Sequence, residues 1–257
     1  LLTDELRAAV AAAPTMTALE DVYLPWRPKR RTRAAIAAEK GLTPLADLLM
    51  AQDDAMDPAA AAQAFVNGDR GVASAEEALA GAMDILAERV SEDPDSRQET
   101  RRLFARKAVL TSACARGKEE EGAKYRDYFE LEESAASMPS HRVLAILRGE
   151  REGFLTTSAA PPEEEAISLL KRRFVHGAGA ASRMVAAAVE DGYKRLLRKS
   201  IETELRGAMK KRADADAIRV FAENVREVLM SAPMGQRATL AIDPGVRTGC
   251  KVVCLDA

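Results

Sequence analysis

Apolar residues at helical spacing, closed off again and again by proline or glycine, restrict this chain to a set of packed helices. Leu79, Met83, Leu86 and Val90 share one face of a run opened by Ser74-Ala75-Glu76-Glu77. That opening has the layout of a capping box, and Asp93-Pro94-Asp95 closes the run. Ile218, Phe221, Val225 and Leu229 form a second stripe, capped by Asp214 and ended by Pro233. The apolar fraction behind these stripes is 47% and rich in alanine, while aromatics are 4%. Alanine loses no side-chain entropy in a helix, and the strand-forming residues are scarce.

Further helices are expected over residues 3–13, 42–51, 96–116, 118–133, 140–147, 182–199 and 200–212. Another begins at Pro161-Pro162-Glu163-Glu164-Glu165, where proline and carboxylates suit a helix start, and ends at Gly177 and Gly179. In the span 118–133, Tyr125, Tyr128 and Phe129 would form one aromatic face of a charged helix. Residues 154–158 read as a short strand after the turn signals Gly149 and Gly153. Pro25 and Pro28 restrict Leu24 and Arg27 to extended backbone, so Tyr23 to Arg33 reads as an ordered loop, with Thr32 capping the next helix.

After Gly235 the character changes. Residues 239–243 and 250–255 read as strands joined by Pro244-Gly245-Val246-Arg247-Thr248-Gly249. A lone hairpin is marginal in water, so the rest of its sheet is expected beyond residue 257. Leu1 likewise reads as the continuation of a chain already under way. The fold class expected is all-α and multi-helical, with this hairpin at its C-terminus.

Several function classes drop out. No apolar run reaches eighteen residues, so no membrane span is expected. The cysteines Cys114, Cys250 and Cys254 are odd in number and lack CxxC pairing, which favours reduced thiols in a cytoplasmic protein over disulfides or zinc. Cys250 and Cys254, four apart on a strand, should share a face and be buried. The histidines are His141 and His176, and neither has a second histidine or cysteine nearby; helix-start hydrogen bonding accounts for them better than a metal does. The phosphate-loop, dinucleotide, nucleophile-elbow and HExxH patterns are missing from the sequence. No catalytic residue, cofactor or metal is expected, and the chain reads as non-enzymatic.

The net charge of -2 gives no global steering toward nucleic acid, so any such binding must come from local patches. The densest is Arg27, Lys29, Arg30, Arg31 and Arg33, flanked by Tyr23 and Trp26. Arginines there suit phosphates, and the indole suits stacking on a base. The same residues also fit a solvated loop whose aromatics anchor the core. Lys194, Arg195, Arg198 and Lys199 make a second candidate helix face, and Lys171-Arg172-Arg173 and Lys210-Lys211-Arg212 are further basic runs that suit helix C-termini.

Three stretches together resemble the Tex family of bacterial transcription accessory proteins. They are residues 19–33, Ser140-His141-Arg142-Val143-Leu144-Ala145-Ile146-Leu147-Arg148-Gly149-Glu150, and Ala241-Ile242-Asp243-Pro244-Gly245-Val246-Arg247-Thr248-Gly249-Cys250-Lys251. Trp26 stands where the family pattern carries tyrosine. The resemblance implies an elongated helical body with helix-turn-helix-like units, followed by a YqgF domain of RNase H-like fold, a helix-hairpin-helix region and an S1 domain. On that reading residues 1–95 form an N-terminal-like helical domain and 96–235 a central helix-turn-helix-like region. Residues 238–257 form the first hairpin of a truncated YqgF domain, with S1 outside the sequence. The resemblance also implies a partner, nucleic acid, with RNA favoured over DNA, and a place among the transcription machinery. Asp243 matches the first acidic position of RuvC-type and YqgF-type folds, but two-metal chemistry needs several carboxylates from separate strands. A metal-dependent nuclease acting through a complete YqgF domain and a pure protein-docking module stand as the alternatives.

Overall fold

The computed structural model describes residues 3–27, 31–245 and 249–256. Its helices, in chain order, are α1 (Asp4–Ala12), α2 (Met16–Tyr23), α3 (Arg33–Glu39), α4 (Thr43–Ala51), α5 (Pro58–Gln63), α6 (Ala75–Glu92) and α7 (Pro94–Lys107). Strands β1 (Val109–Cys114) and β2 (Glu130–Ser134) follow, then α8 (Ser140–Arg151), β3 (Leu155–Ala160), α9 (Glu163–Phe174), α10 (Ala180–Asp191) and α11 (Arg198–Met230). The hairpin β4 (Thr239–Gly245) and β5 (Gly249–Leu255) comes last. The chain divides into two compact units, residues 1–214 and 215–257.

In the first unit α6 is the central element, packed against α3, α4, α5 and α10. Its cap forms, with the return bond shifted by one residue: Ser74 Oγ accepts from Glu77 N at 3.3 Å, and the Glu77 carboxylate accepts from Ala73 N, just before the cap, at 2.8 Å. Leu86 and Val90 are fully buried, but Ala78 and Ala82 share that deep face, with Leu79 and Met83 at its margin. Small residues let the helices close on one another. At Gly81 a Cβ would lie 2.4 Å from Leu42 Cδ1, and at Gly192 it would lie 2.7 Å from the Ala87 carbonyl oxygen. These glycines therefore set how closely α6 and its neighbours pack.

Residues 192–197 form a π-helical stretch between α10 and α11. Val189, Tyr193, Leu197 and Ile201 all turn into the core with no exposed surface. The sequence predicts a break at Ser200 and a cap at Asp214, yet both sit inside helix. Ser200 Oγ accepts from Arg97 Nη2 at 2.9 Å, and Asp214 pairs with Lys210 one turn back. Their side chains are committed elsewhere, so they do not compete for the backbone.

A small sheet interrupts the helical body. β1 lies centrally, antiparallel to both β2 and β3, with Leu110 opposite Glu133 and Ala159. This corrects two expected helices. The helix from residue 96 ends at Lys107, and the span 118–133 holds a 3-10 turn over Ala123–Tyr128 and then β2. Tyr125 is buried and stacks at 5.9 Å on Phe154, so the aromatic set serves the sheet side of the core. Residues 154–158 do lie at a strand, β3, and Gly149 belongs to α8, where a Cβ would meet Leu155 at 2.6 Å. Leu24 is helical rather than extended, because Leu24–Trp26 form a 3-10 turn with Pro25 in its first positions; Arg27 is extended as expected. α2 and α5 form although no helix was expected there.

In the second unit, Ile218, Phe221 and Leu229 are exposed, so the apolar stripe is not buried within it. β4 and β5 pair from Thr239–Leu255 to Gly245–Gly249 and are exposed. Cys250 and Cys254 are free and exposed, not buried, since no second layer covers the two-stranded ribbon among the described residues. No helix is long and apolar enough to cross a membrane among the described residues.

The Tyr193 hydroxyl is buried without a hydrogen-bond partner among the described residues, and burial raises its pKa to about 12. The native state therefore favours the neutral phenol, and that contribution is present below the ordinary phenol value near 10 and lost as pH rises toward 12. Tyr193→Phe is expected to equal or exceed the wild type in stability at pH 7, within about 1–3 kcal/mol for removal of an unsatisfied hydroxyl. It should also lose less stability between pH 9 and 11.5 than the wild type, as read by urea unfolding.

Candidate nucleic-acid interface

The basic loop begins at the C-terminus of α2. Helix α2 buries one residue, and that residue is Asp21. Its carboxylate accepts from Arg97 Nε at 2.6 Å and from Arg101 Nη2 at 2.9 Å, both on α7. Glu204 on α11 closes the set, accepting from Arg97 Nη2 at 2.6 Å and from Arg101 Nε at 2.7 Å. Ser200 Oγ and the Ser91 carbonyl take further Arg97 donors. The Asp21 and Arg97 side chains are only 7% and 8% exposed. Burial works against the Arg101 charge, but Glu204 and Asp21 outweigh it and hold its pKa above the ordinary value. Four charged groups from three helices thus neutralise one another, with most of their hydrogen-bonding capacity used.

Above this network lies a cleft of about 800 Å³, lined by Tyr23, Leu24 and Arg27 on one side and by Phe104, Ile201 and Leu205 among others. Tyr23, which lines the cleft, and Trp26 are 52% and 56% exposed. The reading of these aromatics as core anchors is therefore not what the structure shows. Arg27 and Arg33 are exposed and carry no ion pair among the described residues. Arg31 pairs with Glu39 at 3.3 Å, an exposed contact of little energetic weight. Lys29 and Arg30 lie outside the described residues.

The second candidate set is arranged differently. Lys194 pairs with Glu163 at 3.0 Å and Arg198 with the same carboxylate at 3.5 Å. Arg195 donates to Asp84 at 2.9 Å and also pairs with Asp191. Lys199 is exposed. Asp84 lines a groove that Arg33 also lines, which brings the edge of the loop set near the partner of Arg195. Among the other histidine and acid candidates, the His176 backbone donates to Gln52 Oε1 at 2.9 Å, and Asp243 faces Lys251 at 3.9 Å. No group of three ligating side chains could hold a metal ion among the described residues.

The residues that shape this region most, Arg97, Arg101 and Glu204, were not singled out from the sequence. The available signal was faint: Arg97 and Arg101 are four apart on one helix face, and nothing local names Asp21 or Glu204 as their partners.

Two measurements check this geometry. Asp21→Ala leaves Arg97 buried with part of its charge unanswered and is expected to cost about 3 kcal/mol in urea unfolding. Trp26 is expected to be readily quenched by acrylamide in the free protein; a protected indole would place it in the core.

Residues 53–221 match the family described as Tex central region-like. The chain is 44% identical over 266 residues to Protein YhgF of Escherichia coli K12, covering 100% of this chain and 34% of that protein. It is 40% identical over 263 residues to Transcriptional accessory protein Tex of Neisseria gonorrhoeae, covering 99% of this chain and 34% of that one. It is 23% identical over 269 residues to S1 RNA-binding domain-containing protein 1 of Homo sapiens, covering 99% and 27%. The chain thus spans about a third of the length of the bacterial relatives it matches. With a match over most of its first unit and these relatives along its whole length, the chain belongs to the Tex family.

Proposed function

We propose that this chain is a non-enzymatic helical scaffold of a transcription accessory protein, and that it binds nucleic acid, RNA in preference to DNA. The observation that carries this reading is the exposed Trp26 next to Arg27, with Arg33 also free of ion pairs among the described residues. An indole open to solvent beside uncommitted guanidinium groups supplies both a stacking surface and phosphate donors. The names of relatives, a transcriptional accessory protein and an S1 RNA-binding domain-containing protein, support the same direction. Residues 238–257 would be the opening hairpin of a YqgF-type RNase H-like domain, and the helical body would contain helix-turn-helix-like units. A single carboxylate, Asp243, on a two-stranded ribbon does not make a nuclease site by itself.

Binding of this kind is expected to be modest, insensitive to sequence and dependent on salt. Each neutralised phosphate of a single strand contributes roughly -0.7 to the slope of log affinity against log salt. Arg27→Ala with Arg33→Ala should therefore flatten the slope by about 1.4, measured by anisotropy of a labelled unstructured RNA. Trp26→Ala should weaken binding by about 1–3 kcal/mol while leaving the slope in place. Unchanged affinity in all three substitutions would remove the loop from the interface.

A further inference from the structure

Helices α7 and α9 run antiparallel and are pinned to each other at both ends. Lys107 Nζ meets Glu165 at 2.6 Å at one end. At the other, Arg173 meets Asp93 at 3.0 Å and Asp95 at 2.7 Å. Between these clamps two grooves of about 550 and 480 Å³ adjoin, and Arg106, Leu169 and Arg172 line both. Arg102 enters from α7 and Ser168 from α9.

Arg102, Arg106 and Arg172 are exposed, and none has a carboxylate within ion-pair distance among the described residues. The trio makes one side-chain hydrogen bond there, from Arg106 Nε to the Arg102 carbonyl oxygen at 3.3 Å. Arg97, Arg101, Arg173, Arg195 and Arg206 of the same unit, by contrast, all have carboxylate partners. Arg106 and Arg172 lie in last helical turns, where a cation is favoured by the macrodipole, but Arg102 does not. Glu99 and Glu164 also line the grooves. The clamps balance Lys107 and Arg173 against Glu165, Asp93 and Asp95, and between them the three arginines Arg102, Arg106 and Arg172 face the two carboxylates Glu99 and Glu164 without pairing to either.

Like charges held along one seam repel, and a polyanion reverses the sign of that term. Arg102 and Arg106 are one turn apart, about 6 Å along α7, and each guanidinium can give a forked pair of donors to a phosphate. The floor offers Leu169 and no aromatic ring among its lining residues, so it has nothing on which a base could stack. We propose that the α7–α9 seam holds the phosphodiester backbone of a nucleic-acid strand through Arg102, Arg106 and Arg172. It would position the strand without reading its sequence. This inference rests on the reading of the chain as a nucleic-acid binder and adds a second surface to the loop.

The experiment compares the wild-type chain with Arg102→Gln/Arg106→Gln/Arg172→Gln, and with Ser168→Arg and Ser168→Glu, all at exposed positions. Binding to a labelled unstructured RNA is followed across a salt series, and thermal unfolding confirms that each variant is folded. The triple variant is expected to bind about tenfold more weakly at low salt, with a slope flatter by about 2. Ser168→Arg should bind more tightly, with a slope steeper by about 0.7, and Ser168→Glu more weakly. If the wild type binds RNA and neither the triple variant nor Ser168→Arg changes affinity or slope, the seam proposal falls while the nucleic-acid reading stands. If the wild type binds neither RNA nor DNA at low salt, the nucleic-acid reading itself fails and takes the seam with it. Arginine-dependent binding of a phosphoserine peptide without binding of RNA would overturn the nucleic-acid occupant.

Discussion

The buried exchange among Asp21, Arg97, Arg101 and Glu204 is the constraint on which the first unit's arrangement turns. Helix α1 buries no residue, and α2 buries only Asp21, so the start of the chain has little apolar surface with which to hold itself in place. A carboxylate answered by two arginines does that work, and it fixes orientation as well as position, because a forked guanidinium accepts its partner from few directions. Such a network adds little net stability relative to an apolar core of the same volume, while losing one member is costly. Its value here is placement. Tyr23 ends α2 and the turn that carries Trp26 leaves it directly, so the exposed indole stands where the buried ions put it.

Much of the fold was legible because local signals and tertiary packing agree. The capping box at Ser74, the proline-led start of α9, the stop at Pro233 and the terminal hairpin all rest on backbone chemistry that acts within a few residues. The misreadings arise where a longer-range partner takes over a local cue. Ser200 and Asp214 have the chemistry of caps, but Arg97 and Lys210 occupy their oxygens. The strands β1 and β2 were hidden because Val109 to Cys114 continues a helical pattern and β2 is mostly acidic; they exist because β1 finds neighbours on both edges.

The charged surface divides along the same line. Density of basic residues in the sequence marks 27–33 first and 194–199 second. The structure separates them by partner, leaving Arg27 and Arg33 without ion pairs among the described residues while Lys194, Arg195 and Arg198 meet carboxylates. Which cation is spent on the fold and which is left to solvent depends on residues a hundred positions away, as with Arg195 and Asp84. No window of sequence short enough to read as a motif contains that information.

The π-helical stretch at 192–197 carries a consequence for angular phase. In an α-helix of 3.6 residues per turn, each step of four residues advances 400°, so a row spaced by fours drifts about 40° per step around the axis. Val189, Tyr193, Leu197 and Ile201 are spaced by fours, and three such steps would swing the last of them about 120° away from the first. All four nevertheless face the interior. The wider π turns take up the surplus residue and cancel the drift, much as a stutter rephases a coiled coil. The segment works as a vernier: it lets a helix whose buried face obeys one period upstream hand over to a face that would otherwise have rotated out of register.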